Sequence, residues 1–317
     1  MELFLSNLTN PAFLFFLLGI LAVRLKSDLE IPQNSAKFIS LYLLFAIGFK
    51  GGQELSHHPI TTEVVGVLLF GILLSVLIPL YTFFLLRKKV GIFNAAAIGA
   101  AYGSVSAVTF VTAISYLEQN DMEFHGHMVA IMALMESPAI IISLILLSAY
   151  DKEDNISSTK DILHHSLTNG SVLLILGSLI IGFLASAEQA EGIKPFTTDL
   201  FKGFLAIFLL DMGISCGKKL NSFTQNGWTP ILYSSIAPLV NGSIVAYVSC
   251  FFTEEISDRF ILAVLAASAS YIAVPAAMKL ANPKASEGLY LPMALAITFP
   301  LNITLGMPLY FYIVSGS

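Results

Sequence analysis

AAYGSVSAVTF, residues 100–110, interrupts a long apolar run with Tyr102, Gly103, Ser104, Ser106 and Thr109. A helix packed only against lipid has no partner for so many hydroxyls. A second stretch, AASASYIAVP at 266–275, does the same in a later apolar run. Non-helical backbone is tolerated at membrane depth only where it is buried in protein or lines a wet cavity. The fold must therefore place both stretches inside protein.

The rest of the chain agrees with a membrane reading. The 317 residues are 56% hydrophobic and only 12% charged, against about 25% charged in soluble domains. The mean hydropathy is +0.80. The net charge of −5 comes with no basic block, so no nucleic-acid partner is expected, and lipid is the main one. Cys216 and Cys250 have no CxxC or Cys/His spacing, which argues against a zinc site or a structural disulfide. The start, MELFLSNLTN, lacks the positive n-region of a signal peptide, so the first apolar run reads as a retained span.

Ten apolar segments are predicted, near 11–25, 36–50, 62–86, 93–118, 127–150, 166–187, 196–217, 228–252, 257–280 and 289–314. The charged linker YDKEDNISSTKDILHH at 150–165 divides them five and five. Alternate loops carry Arg24, Lys26 and Lys37; Arg87, Lys88 and Lys89; Lys152 and Lys160; Lys218 and Lys219; Lys279 and Lys284. Cytoplasmic loops hold the basic excess, so the linker is expected in the cytoplasm and both termini outside. The opposite loops carry acids and His57, His58, His125 and His127, which read as surface groups.

The two halves resemble each other. At a shift of 165 residues Leu44, Gly48, Gly52 and Leu55 fall on Leu209, Gly213, Gly217 and Leu220. At a shift of 166, Ala100, Ala101, Ala107 and Val108 fall on Ala266, Ala267, Ala273 and Val274. Because five is odd, the second repeat enters the membrane from the opposite side. The expected fold is an all-α polytopic membrane protein with ten transmembrane helices. Residues 1–150 form one five-helix repeat, 151–165 the linker, and 166–317 the second, inverted repeat. Interrupted segments at matching positions of such repeats, here the fourth and ninth, point to a transport site.

Each interruption ends one half-helix and begins another. A half-helix starting near Ser106, and another near Val274–Pro275, would aim free N–H groups and a positive dipole end at an anion. Ser104, Ser106, Thr109, Ser268 and Ser270 add hydroxyl donors. The carbonyl ends of the preceding half-helices suit a cation, which places Na+ near Ala101, Tyr102, Ala267, Ser268 and Ser270. Small residues also let helices pack closely, but the recurrence at matching repeat positions favours a site. Glu136 in MALMESPAII and Asp211 in FLLDMGIS are ionisable residues inside spans, hence ion-coupling candidates.

The motifs AYGSVSAVTFVTAISYLEQ, MESPAIIISLIL, FKGFLAIFLLDMGIS, SSIAPLVNG and LAASASYIAVPAAM together resemble the SbtA-type sodium-dependent bicarbonate transporters of cyanobacteria and other bacteria. The similarity runs along essentially the whole chain. It implies sodium-coupled bicarbonate uptake across a bacterial inner membrane, with a core and a gate domain related to bile-acid symporters and sodium/proton antiporters. It also implies a homotrimer and, in some members, control by a small PII-like cytoplasmic protein. The family's substrate stretch matches Gly103, Ser104, Val105, Ser106, Ala107 and Thr109, and its acid before the fifth-segment proline matches Glu136. Ser268, Ser270 and Tyr271 complete the expected substrate set. Tyr271 stands where the family pattern has an aspartate serving sodium. Two other readings stay open: another small anion, or proton coupling through Glu136 or Asp211. An intramembrane enzyme is a third, but HExxH, GxGD and DDxxD motifs are all missing.

Overall fold

The computed structural model describes residues 11–57, 61–151, 170–223, 227–271 and 273–316. The described residues contain helices and no strand. In chain order they are α1 (Pro11–Arg24), α2 (Gln33–His57), α3 (Thr62–Val90), α4 (Ile92–Gly103), α5 (Ala107–Gln119), α6 (His127–Tyr150) and α7 (Gly170–Leu184). There follow α8 (Ala187–Lys194), α9 (Phe201–Phe223), α10 (Trp228–Val248), α11 (Ile256–Ala267) and α12 (Ala273–Ala281), and finally α13 (Glu287–Gly316). Among the described residues six helical stretches are long and apolar enough to cross a membrane, the α4–α5 and α8–α9 pairs each counting as one. The protein is a multi-pass helical membrane protein.

Local chemistry sets the helix ends. Thr61 caps α3 by accepting a hydrogen bond from the Val64 N–H at 3.3 Å. Arg87, Lys88 and Lys89 in its last turn complement the negative dipole end, and Gly91 (φ 82°) stops it in a conformation that favours glycine. The predicted loop before the seventh segment is instead α8, joined through a π-helical turn at Pro195–Asp199 to α9. Its start is a capping box, in which Ser186 and Gln189 satisfy each other's backbone N–H. The sequence SAEQ carries that signal. The predicted linker 151–165 lies, beyond Asp151, outside the described residues, as do His58, His164 and His165.

Two helix groups are evident. In one, α2 runs along α7 and α1 along α9. In the other, α3 packs on α4 and α6, and α10 on α11 and α13. Glycines bring the first group into backbone contact: a Cβ at Gly213 would lie 2.0 Å from the Phe16 carbonyl oxygen, and one at Gly52 2.1 Å from that of Leu179. Gly48 and Gly52 of α2, and Gly213 and Gly217 of α9, are the residues that align between the halves. They meet α7 and α1 respectively. Lipid tails are as apolar as leucine, so close van der Waals packing has to hold such pairs together.

Gly213→Val should force α1 and α9 apart and destabilise the protein by about 1–3 kcal/mol, lowering the temperature of thermal unfolding. Gly177→Val, where a Cβ meets nothing within 4 Å, should leave it near the wild-type value.

The crossing of two interrupted helices as the candidate functional site

The fourth segment's first half ends at Gly103, a position with no room for a side chain. A Cβ there would lie 2.2 Å from Pro79 Cγ and 3.2 Å from Ala139 Cβ. The backbone is extended at Ser104 (ψ 178°) and Ser106 (ψ 110°), and α5 then begins. Ser106 caps α5, its Oγ accepting from the Thr109 N–H at 3.2 Å. That leaves the Ala107 and Val108 N–H groups without helical acceptors. The ninth segment breaks in the same way, α11 ending at an extended Ser268 (ψ 168°) and α12 resuming at Ala273.

The two breaks meet. The Ser270 N–H donates to the Ala101 carbonyl at 2.7 Å, and the Ser106 N–H to Ser268 Oγ at 3.1 Å. Ser268 Oγ in turn donates to the Leu265 carbonyl at 2.8 Å. Ser104, Val105, Ser106, Thr109, Ser268, Ser270 and Tyr271 are all buried here, with Gly103 beside them. Two hydroxyls stand out. Ser104 Oγ and the Tyr271 hydroxyl are buried with no hydrogen bond among the described residues. The Tyr271 hydroxyl neighbours Ser106, and its ring stands edge-on to Phe299 at 6.0 Å. A buried polar group left unmet costs about 1–3 kcal/mol, and two of the unmet oxygens lie at this crossing.

The carbonyl side differs from the sequence expectation. Ala267, expected beside Na+, already accepts from Asn302 Nδ2 at 2.7 Å, and the Ala266 carbonyl from Asn241 Nδ2 at 3.4 Å. Ala101 accepts from Ser270, as above. Each carbonyl keeps a second lone pair for a cation. Tyr102 turns away, its hydroxyl pairing with Thr298 Oγ1 at 2.7 Å, which donates to the Ser234 carbonyl at 2.9 Å. Asn302 is further braced by the Tyr310 hydroxyl at 3.1 Å, and Asn241 by that of Tyr81 at 2.7 Å. Thr298 and Asn302 sit in the π-helical stretches Met293–Thr298 and Asn302–Gly306 of α13, a distortion frequent at functional sites. Sequence reasoning missed Asn241 and Asn302. Their signal is a lone amide beside a proline in an apolar span, in APLVNG and FPLNIT.

The two acids separate. Glu136 lies on α6 one turn before Ala139, which packs at Gly103, and its Oε1 is buried with no hydrogen bond among the described residues. Asp211 is half-buried on α9, and no hydrogen bond among the described residues joins it to the crossing.

The histidines expected at the surface divide as well. His125 Nδ1 and His127 Nε2 hold the two oxygens of buried Asp258, at 2.9 Å and 2.8 Å, with the rings stacked 5.6 Å apart. They tie the loop after α5 and the start of α6 to the first turn of α11. The hydrogen bond to Asp258 pushes the His125 imidazole up from its ordinary range. A raised histidine contributes stability that is full below the ordinary imidazole pKa and is lost as pH rises through the raised value. Thermal stability should therefore fall as pH rises from about 6 to about 8, and His125→Gln should flatten that fall.

The comparison with protein families falls into place on this geometry. No curated protein matches the chain. The profile of the Na+-dependent bicarbonate transporter superfamily matches residues 11–315, nearly the whole length and both interruptions. A multi-pass helical protein with paired interruptions and orphaned hydroxyls where they meet thus belongs to the Na+-dependent bicarbonate transporter superfamily, a family of transporters and not of enzymes.

Proposed function

We propose that the chain carries bicarbonate inward with Na+, and that the anion sits at the crossing between the first turn of α5 and the hydroxyls of Ser104, Ser106 and Tyr271. The observation that carries this reading is the pair of buried, unmet hydroxyls at Ser104 and Tyr271 beside a helix N-terminus. Helix N–H groups and the dipole favour an anion there, with Ala107 opening that turn and Gly103 packed against Pro79. Ser268, Ser270 and Thr109 complete the surroundings, Val105 supplying backbone only. Na+ is placed at the carbonyl ends of α4 and α11, near Ala101, Tyr102, Ala267, Ser268 and Ser270, sharing oxygens with the asparagine amides.

The frame of this reading is a ten-crossing fold of two inverted repeats, 1–150 and 166–317, joined by a cytoplasmic linker at 151–165, with both termini outside. The pairing of α1 with α9 and of α7 with α2 through aligned glycines supports it. So does the stitching of the two interruptions. Residence in a bacterial inner membrane, a homotrimer and a PII-like partner rest on family resemblance.

A second reading keeps the anion and replaces Na+ by a proton carried on Glu136. The unpaired Glu136 oxygen, one turn from the wall of the crossing, favours it. Asp211, lacking such a link, is the weaker coupling group.

Ser104→Ala removes an oxygen that no described residue uses, and Tyr271→Phe one whose only polar neighbour among them is Ser106. They should lower bicarbonate affinity by tenfold or more, from a loss of about 1.5–3 kcal/mol, with no loss of thermal stability. Ser106→Ala also removes the cap on Thr109 and should lower stability too, by about 1 kcal/mol. Calorimetric titration with bicarbonate and thermal unfolding of the purified variants are the measurements. Wild-type affinity in a Ser104→Ala, Ser106→Ala double variant would make these serines packing residues.

A further inference from the structure

A second cluster lies away from the crossing. A cavity of about 280 Å3 opens between the end of α2, the last turn of α5 and the π-helical turn leading into α9. Its polar wall is Lys50, Glu118, Thr197, Thr198, Asp199 and Lys202. Glu118 sits across both lysines: Oε1 is 3.1 Å from Lys50 Nζ and Oε2 is 3.1 Å from Lys202 Nζ. Lys50 also lies over the Phe124 ring, 5.3 Å from its centroid. Lys50 and Lys202 come from the helix group of α1, α2, α7 and α9, whereas Glu118 is on α5. That is the half-helix whose other end forms the crossing, about 18 Å away at 1.5 Å per residue.

We propose that this cavity is an access site for the transported anion, in which the Glu118 carboxylate holds the seat that a planar monovalent oxyanion takes between Lys50 and Lys202. The proposal rests on the reading of the chain as a bicarbonate carrier. A carboxylate and bicarbonate present the same pair of oxygens on a planar carbon. Two ammonium groups set one on each oxygen therefore form a ready receptor for either. Lys202 is 71% exposed, so an anion arriving from the loop side meets it first. When the anion takes the seat, Glu118 withdraws, and two cations face one remaining carboxylate, Asp199, which leaves the balance positive. Like charge keeps Glu118 and the anion from sharing the lysines, so the carboxylate is a built-in competitor. Its displacement also releases the ionic tie between α5 and the other helix group.

Competition gives the test its sign. An access site predicts that Lys202→Gln and Lys50→Gln raise the KM for external bicarbonate, while Glu118→Gln, which removes the competitor, lowers it. A purely structural bridge is broken by any of the three, and KM then moves the same way in all. The measurement is initial uptake of labelled bicarbonate by proteoliposomes across a range of external concentrations, with thermal unfolding of each variant alongside. The expected result is a KM increase on the order of tenfold in the Lys50→Gln, Lys202→Gln double variant, and a decrease in Glu118→Gln. Shifts of the same sign, or an unchanged KM in the double variant, would overturn the proposal. Should the double variant fail to fold, the exposed Lys202→Gln against Glu118→Gln decides by the same opposition of signs. Wild-type protein that moves no bicarbonate would overturn the carrier reading and this proposal with it, before any variant is compared.

Discussion

The hydrogen bond from the Ser270 N–H to the Ala101 carbonyl spans two helices that each break in the middle of an apolar segment. Hydrocarbon offers no partner for an unwound peptide group, and each one left unmet costs several kcal/mol. The two breaks solve this jointly, through that bond, the Ser106–Ser268 contact, and the Asn302 and Asn241 amides that meet the Ala267 and Ala266 carbonyls. Pro79 packs against Gly103 at the first break, and the π-helical middle of α13 supplies the Asn302 amide to the second. After this mutual satisfaction Ser104 Oγ and the Tyr271 hydroxyl remain buried without a hydrogen bond among the described residues, the tyrosine beside Ser106.

Much of this was legible in the sequence. Polar, small residues inside apolar runs identified both breaks and the start of a half-helix near Ser106, which the structure shows to be the cap of α5. The glycines that aligned the halves are points of close helix contact, backbone to backbone at Gly48, Gly52 and Gly213 and against the Val23 side chain at Gly217. Other features were hidden for physical reasons. Asn302 is 35 residues from the Ala267 carbonyl it meets, and no local pattern reports such a long-range donor. His125, His127 and Asp258 looked like loop groups because their pairing depends on how α5, α6 and α11 end together. Lys50 and Lys202 share Glu118, a pairing across distant parts of the chain that no local pattern reports. The helix α8 was legible after all, in the SAEQ capping box, but its low hydropathy drew the reading toward a loop.

Tyr271 is where chemistry and family pattern pull apart. An aspartate in that place would bring a negative charge to the carbonyl ends of the broken helices, which favours a cation. The tyrosine brings a neutral hydroxyl beside Ser106, which favours the anion. The asparagine amides partly occupy the carbonyls that a cation would use. The hydroxyl and the two amides are all hydrogen-bond donors at the crossing. Glu136 stands on α6 one turn before Ala139, which packs at Gly103, and its Oε1 has no hydrogen bond among the described residues.

Coupling is thus the central quantity, and uptake by the purified protein measures it. Labelled bicarbonate accumulation in proteoliposomes should require an inward Na+ gradient, fall to background when choline replaces Na+, and survive collapse of the proton gradient. Accumulation that is indifferent to Na+ but abolished by collapsing the proton gradient would contradict this account and assign the coupling to a proton.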